Sequence, residues 1–133
     1  MEPKKERLKR IMTAGTAVVY SCKIEGEKFL PTFASENFKE LWGYEPEEII
    51  GNPEWWVSNL HPDERESVLA GVGSILKTGC HTHEYRFRHK DGNYRWVYDR
   101  LRLVRDESDR PVEIVGSWLD ITEFKGEGGA SSG

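Results

Sequence analysis

The sequence predicts an α+β fold: a five-stranded antiparallel sheet with short helices and one long helix packed on one face, preceded by an N-terminal amphipathic helix. Two observations carry that prediction. The stretch HEYRFRHKDGNYRWVYDRLRLVRDESDRPVEIVGSWLDIT, from His83 to Thr122, reads as three consecutive antiparallel strands punctuated by two turns. Asp91-Gly92-Asn93 supplies the positive φ angles of a tight hairpin, and Asp106 to Pro111 is a polar loop that ends just before a β-branched run. Upstream, a run of helical signals furnishes the cover that such a sheet face requires.

Each element has its own warrant. Leu8, Ile11 and Met12 stand at helical spacing among Lys, Arg and Glu, which predicts a short amphipathic helix over residues 1–13. TAVVYSC, Thr16 to Cys22, is β-branched and short, and Lys28 to Phe33 follows the polar turn Glu25-Gly26-Glu27, giving strands one and two. Ser35 stands at an N-cap position before Phe38, Leu41 and Trp42, a helix that Gly43 terminates. Pro46 and Gly51 bracket one more helical turn. The longest helix is expected from Pro62 to just before Gly79, with Val68, Leu69, Val72, Ile75 and Leu76 as one buried stripe; close packing is the preferred reason for Gly71 and Gly73 inside it.

A chain of 133 residues suits one domain, placed at residues 14–125, followed by a Gly/Ser-rich flexible tail at 126–133. Net charge of −4 gives no basic footprint for nucleic acid beyond the local KKERLKR, read as a solvated helix face. No apolar run reaches the roughly 18 residues of a membrane span, and no signal peptide precedes the fold, so the expectation is a cytoplasmic protein without membrane insertion. Cys22 and Cys80 are read as two reduced thiols on strands. In Cys80-His81-Thr82-His83 the two histidines alternate away from Cys80 on one face and have no further plausible ligand except His89, so no metal is expected. Catalysis finds no support either, since GxSxG, phosphate-cradling glycine loops and HExxH are all missing.

The phrases FASENFKELWGYEPEEIIG at Phe33 to Gly51 and NLHPDER at Asn59 to Arg65, the strand pair above, and the closing Asp120-Ile121-Thr122 stand in a familiar order and spacing. From Ala14 to Phe124 the chain resembles a PAS domain with its C-terminal PAC motif, the sensory module that cups a small cavity between a curved sheet and a few helices. The resemblance implies a signal-transduction input domain of the two-component kind, covalently linked to a histidine kinase, a cyclic-dinucleotide enzyme or a transcription regulator. It also implies that Asp120, Ile121 and Thr122 pass a conformational bias into a following helix that starts at Glu123-Phe124-Lys125. Arg86, on the outer face, is expected to pair with Asp120. A homodimer is expected through Leu8 and Ile11 of the first helix and Trp96, Tyr98, Val115 and Leu119 of the outer sheet face.

Alternation assigns the faces. Tyr85 and Phe87 share a side with His83, opposite Glu84, Arg86 and Arg88. On the next strand, Val97, Asp99, Leu101 and Leu103 form a more apolar set than Trp96, Tyr98, Arg100 and Arg102. A three-residue loop, Asp91 to Asn93, sets Phe87 opposite Val97 and Tyr85 opposite Asp99; a two-residue loop would set Phe87 opposite Trp96. With the longer loop the inner wall is His83, Tyr85, Phe87, Val97, Asp99, Leu101, Ile114 and Trp118, and Gly116 opens space between two large residues.

Asp99 is the informative member, because an inward carboxylate needs a partner such as His83, Tyr85, water or a ligand. Two readings of the wall stay open, a pocket for an unidentified small molecule and a core filled by its own aromatics. They lead to a ligand-responsive sensor and to a ligand-free dimerisation module. A haem or flavin sensor is the third reading. It is disfavoured by what the resemblance implies: the helix from Pro62 has no internal histidine, NPEWWVSNL after Gly51 has no cysteine, and Trp118 stands where flavin photosensors commonly carry glutamine.

Overall fold

Residues 17–26 and 28–128 are described by a computed structural model. Five strands, β1 (Ala17–Glu25), β2 (Lys28–Ala34), β3 (Cys80–Arg88), β4 (Tyr94–Arg105) and β5 (Pro111–Asp120), pair antiparallel in the order β2-β1-β5-β4-β3. The two edge strands, β2 and β3, are consecutive in the chain, so the connection between them must cross the whole sheet. It carries the helical cover: α1 (Phe38–Trp42), α2 (Pro46–Ile49), α3 (Pro53–Asn59), α4 (Pro62–Gly73) and α5 (Ile75–Thr78). A last helix, α6 (Thr122–Gly128), follows β5 and runs into the segment read from the sequence as tail. The α+β architecture expected from the sequence is the one observed. The helix expected over residues 1–13, with Leu8 and Ile11, lies outside the described residues.

The β3–β4 hairpin closes through Lys90-Asp91-Gly92: the His89 N–H donates to the Asn93 carbonyl at 2.8 Å and the Gly92 N–H to the His89 carbonyl at 2.9 Å. Gly92 takes φ 96°, the conformation for which glycine is the natural choice. This loop sits one residue earlier than expected. Phe87 therefore opposes Arg95 rather than Val97, and Tyr85 opposes Val97 rather than Asp99. Because the loop keeps its odd length, the slide moves each partner by two positions and leaves every side chain on its expected face.

Several helical details differ from the expectation. Ser35 does not cap α1; its hydroxyl accepts the Val19 N–H at 3.0 Å and bonds Asn37, tying the helix start to β1. Gly43 does end α1, at φ 84°, with its N–H on the Lys39 and Phe38 carbonyls. The long helix breaks after Gly73, where the Ser74 hydroxyl donates back to the Gly71 carbonyl at 2.6 Å. Leu69 leaves the expected stripe and stands 40% exposed, whereas Val68, Val72 and Ile75 are buried. Close packing explains Gly71, whose added Cβ would lie 2.5 Å from His81 Nε2, but not Gly73, which has open space around it. The segment after Gly51 is itself a helix, α3, with Pro53 in its first turn and Trp55 buried.

The core forms two clusters between sheet and helices. The larger gathers Phe38, Trp42, Tyr44, Ile49, Trp55 and Leu60 from the helical side against Val18, Tyr85, Phe87, Val97 and Trp118 from the strands. The smaller joins Val72 and Ile75 to Leu101, Leu103 and Ile114. Tyr20 and Trp56 pack against both. Trp118 is the hub of the larger cluster, with ring centroids of Phe87, Trp42 and Phe38 at 4.7, 5.3 and 5.4 Å in edge-to-face arrangements.

Candidate functional site

Asp99, on the central part of β4, is 1% exposed, and a group so buried must be fully partnered. Its Oδ1 accepts the Tyr20 hydroxyl at 2.8 Å, and Oδ2 accepts the Tyr85 hydroxyl at 2.8 Å and faces His83 Nε2 at 3.3 Å. The Tyr85 oxygen in turn accepts the Trp56 indole N–H at 3.2 Å. Register explains the gathering. His83 is the direct cross-strand partner of Asp99 on β3, and Tyr85 is the next inward residue along that strand. Tyr20 comes from β1, beyond β5, and reaches Asp99 across Gly116: a Cβ on that glycine would lie 2.4 Å from the Tyr20 ring. The space that Gly116 opens is thus filled by Tyr20 rather than left empty, as the sequence had led one to expect.

Burial, then the neighbouring Asp99 carboxylate, holds the Tyr20 and Tyr85 hydroxyls well above the usual phenol range, so both remain donors. The Cys22 thiol is pushed up to about 12, by burial first and by Asp99 second. His81, its ring 4.6 Å from that of His83, is held below the ordinary imidazole value by burial and then by His83.

Beside this network, at the seam of the two core clusters, lies a cavity of about 70 Å³. Asp99, Leu101, Ile114 and Trp118 form its floor; Tyr20, Cys22, Phe29 and Pro31 close one side; Phe38, Ile49, Pro53, Trp55, Trp56 and Val72 form the roof. Asp99 is the only charged side chain among these. Four of the eight wall residues read from the sequence, Asp99, Leu101, Ile114 and Trp118, meet the cavity, while Tyr85, Phe87 and Val97 are packed in the core beside it and His83 stands behind Asp99. Sequence reasoning missed Tyr20, Cys22, Phe29, Pro31 and Phe38, with Ile49, Pro53 and Val72, and left open whether Trp55 and Trp56 cap the cavity, which both of them line. The signal for the first two was present, since Val18, Tyr20 and Cys22 alternate onto one face of β1.

Volume bears directly on cofactors. Pockets for drug-sized ligands run to about 300–1,000 Å³, whereas this space holds a few water molecules or a ligand of few heavy atoms. The residues present do not fit haem or flavin in this arrangement. A group of metal-ligand type, His61, Asp63 and Glu64, gathers at the start of α4, but the Arg86 guanidinium already sits on Glu64 and 3.7 Å from Asp63.

That pairing corrects one expectation. Arg86 bonds Glu64 through its side chain and backbone N–H and lies over the Trp96 ring at 5.3 Å, while Asp120 pairs with Arg95. Arg86 opposes Trp96 on the outer face, and Asp120 opposes Val97 on the inner face, so the sheet separates them. Asp120 also accepts the Thr122 N–H at 2.9 Å and the Thr122 hydroxyl at 2.6 Å. Thr122 Oγ1 in turn accepts the Trp96 N–H at 2.8 Å, and the Ile121 N–H donates to the Trp96 carbonyl at 2.9 Å. Lys125 of α6 also lies over the Trp96 ring, 4.7 Å from its centroid, and pairs with Glu84 at 2.8 Å. Trp96 is therefore partly covered by two cations, whereas Val115, of the expected outer-face set, stands 37% exposed with Tyr98 and Leu119 partly buried.

A five-stranded antiparallel sheet with helices on one face, a small cavity beneath them and a last strand that runs into a C-terminal helix define a two-layer α+β module. The family model for the PAS fold matches residues 31–118, and the chain belongs to the PAS family. It is 32% identical over 119 residues to the two-component sensor PprA of Pseudomonas aeruginosa and 33% identical over 120 residues to the methyl sulfide methyltransferase-associated sensor of Methanosarcina acetivorans. Those matches cover 88% and 89% of this chain but only 12% of each relative, so the chain spans a small part of their length. Among solved structures it resembles a sensory box histidine kinase/response regulator from Burkholderia thailandensis, with TM-score 0.72, 26% identity, and coverage of 93% of this chain and 91% of that one. No helix among the described residues is long and apolar enough to cross a membrane.

Proposed function

We propose that this chain is the input domain of a sensor: a small molecule enters the cavity, and the change passes along β5 into α6 and on to a covalently linked effector of the histidine-kinase type. The observation that carries the reading is one of connectivity. Trp118, on the cavity wall, and Asp120, which caps α6, lie two residues apart on the inner face of the same strand. A ligand that displaces the Trp118 ring therefore acts on the residue pair that fixes the helix. Such a ligand shifts the equilibrium only if it binds one arrangement better than the other. Sensor relatives support the same reading at the level of the family.

The test is a thermal-shift panel of small metabolites followed by amide NMR on any hit. A saturable rise in Tm with chemical-shift changes at both Trp118 and Glu123 to Lys125 is expected. Hits that perturb the cavity but leave α6 unmoved would count against the transmission route.

A second reading rests on the outer sheet face. There Val19, Phe33 and Val115 line a broad groove with Arg100 and Arg102, and Phe33 is 50% exposed. An apolar strip of that kind suits self-association, giving a homodimer whose interface, rather than a ligand, sets the state of the effector. Sedimentation equilibrium of wild type against Val115→Glu distinguishes the two: a dimer that dissociates on substitution favours this reading, a monomer removes it.

A further inference from the structure

We infer that the cavity selects a small organic ammonium ion, a protonated aliphatic amine of a few heavy atoms, whose N–H is donated to Asp99. This rests on the reading of the cavity as a ligand site and adds the ligand's charge and size. Asp99 is the only charged group in the lining, and its sign is negative. A carboxylate offers about four acceptor positions, and among the described residues three are taken, by the Tyr20 and Tyr85 hydroxyls and by His83 in its Nε2–H tautomer. One is left for a donor. Among the described residues no lysine or arginine contacts this buried carboxyl group, and His83 is the one basic side chain beside it.

The aromatic surface of the wall favours a cation, whereas the Trp55 indole N–H, buried without an acceptor among the described residues, does not. Trp55, Trp56, Trp118, Phe38, Phe29 and Tyr20 surround the space with aromatic rings, whose negative faces attract an ammonium group and its polarised C–H neighbours. An anionic ligand would meet Asp99 at close range without a counterion, and a neutral apolar one would leave its fourth position unfilled. At about 70 Å³ the space limits the ligand to short alkyl amines.

The experiment titrates methyl- to butylammonium chloride into the whole chain at neutral pH, followed by Tm and amide NMR, beside the matched alcohols, the matched carboxylates and potassium chloride. Pressurised xenon, read by its NMR shift, reports whether the cavity admits any guest. The expected result is saturable ammonium binding about tenfold tighter than the matched alcohol, from a charge-assisted hydrogen bond and ring contacts, with no carboxylate binding. Asp99→Asn should abolish the preference. Trp56→Leu, which keeps Asp99, guards against a poorly folded Asp99 variant and should weaken the ammonium several-fold more than the alcohol. Alcohols or carboxylates binding as tightly as ammonium ions would overturn the charge assignment and leave the ligand site standing. Xenon entry with no bound amine would do the same, and exclusion of xenon together with every compound would remove the ligand site itself.

Discussion

Tyr20 reaches Asp99 because the strand between them carries a glycine, and that geometry makes the network testable one atom at a time. A methyl group at position 116 would collide with Tyr20 Cζ and its hydroxyl at 2.4 Å, and the phenol would have to leave the carboxylate. Gly116→Ala should therefore destabilise by about 1–3 kcal/mol, from overpacking and a lost hydrogen bond to a buried acceptor. In a Tyr20→Ala background the same substitution should be nearly neutral, because the collision partner is gone. Urea unfolding of the four proteins in that cycle checks the coupling. The cysteines give a second reading of the same site. Cys80 is exposed, while the Cys22 thiol is half-buried in the cavity wall and pushed up to about 12. At pH 8 Ellman's reagent should label Cys80 promptly and Cys22 only as fast as the sheet opens, since the thiolate is the reactive form. Equal rates at both would show that the wall is not closed around Cys22.

At the scale of elements, one substitution made twice in α4 should give opposite signs. Gly73→Ala meets open space and gains helix propensity, so it should stabilise by up to about 1 kcal/mol. Gly71→Ala gains the same propensity but drives a methyl toward His81 Nε2, and should stabilise less or destabilise. The start of α4 also sets an acid limit. The hydrogen bond from Arg86 holds the Glu64 carboxyl below its ordinary value of 4.5. A carboxylate depressed by folding contributes stability that is fully present above the unfolded value and is lost as pH falls through the folded one. Stability should thus fall below about pH 4.5 in part through this pair, and Glu64→Gln should flatten that limb while lowering stability at pH 7. Equal acid slopes in the two proteins would place the loss elsewhere.

These elements also show what the sequence made legible. β3, β4 and β5 could be read in place, because alternation over nine or more residues with Gly, Asp and Pro turns leaves few alternatives. Their inner faces followed, since a slide of one residue in an odd loop preserves parity. Of the fourteen residues lining the cavity, the four on β4 and β5 were legible. The other ten come from β1 and β2, whose pairing beyond β5 no local pattern announces, and from α1 to α4, whose docking is decided by which rings fill the space over Trp118. The pairing expected between Arg86 and Asp120 failed because a long side chain on an edge strand can turn toward a helix end, a contact between segments 22 residues apart that no local pattern announces.

Over the whole molecule the consequence of interest is how firmly α6 is held, because a sensor's output element must be stable in one state and releasable in another. Four bonds fix its start, the Thr122 N–H and hydroxyl on Asp120, the Trp96 N–H on Thr122 and the Ile121 N–H on the Trp96 carbonyl, and Lys125 adds its contacts to Glu84 and Trp96. Removing the Thr122 hydroxyl deletes two of these and leaves the shape nearly unchanged. Thr122→Val should therefore release α6 without unfolding the sheet. Hydrogen exchange checks it: the Lys125 amide, bonded to the Ile121 carbonyl at 3.0 Å, and the amides after it in α6 should exchange about tenfold or more faster, the loss of roughly 1.4 kcal/mol of local stability, while those of β4 and β5 keep their protection. If the sheet loosens in parallel, α6 is part of one cooperative unit with it, and a bias from Trp118 could not be transmitted to the helix alone. If α6 alone is freed, ligand binding in wild type should move the same amides, in the same direction or the reverse according to which state the ligand prefers.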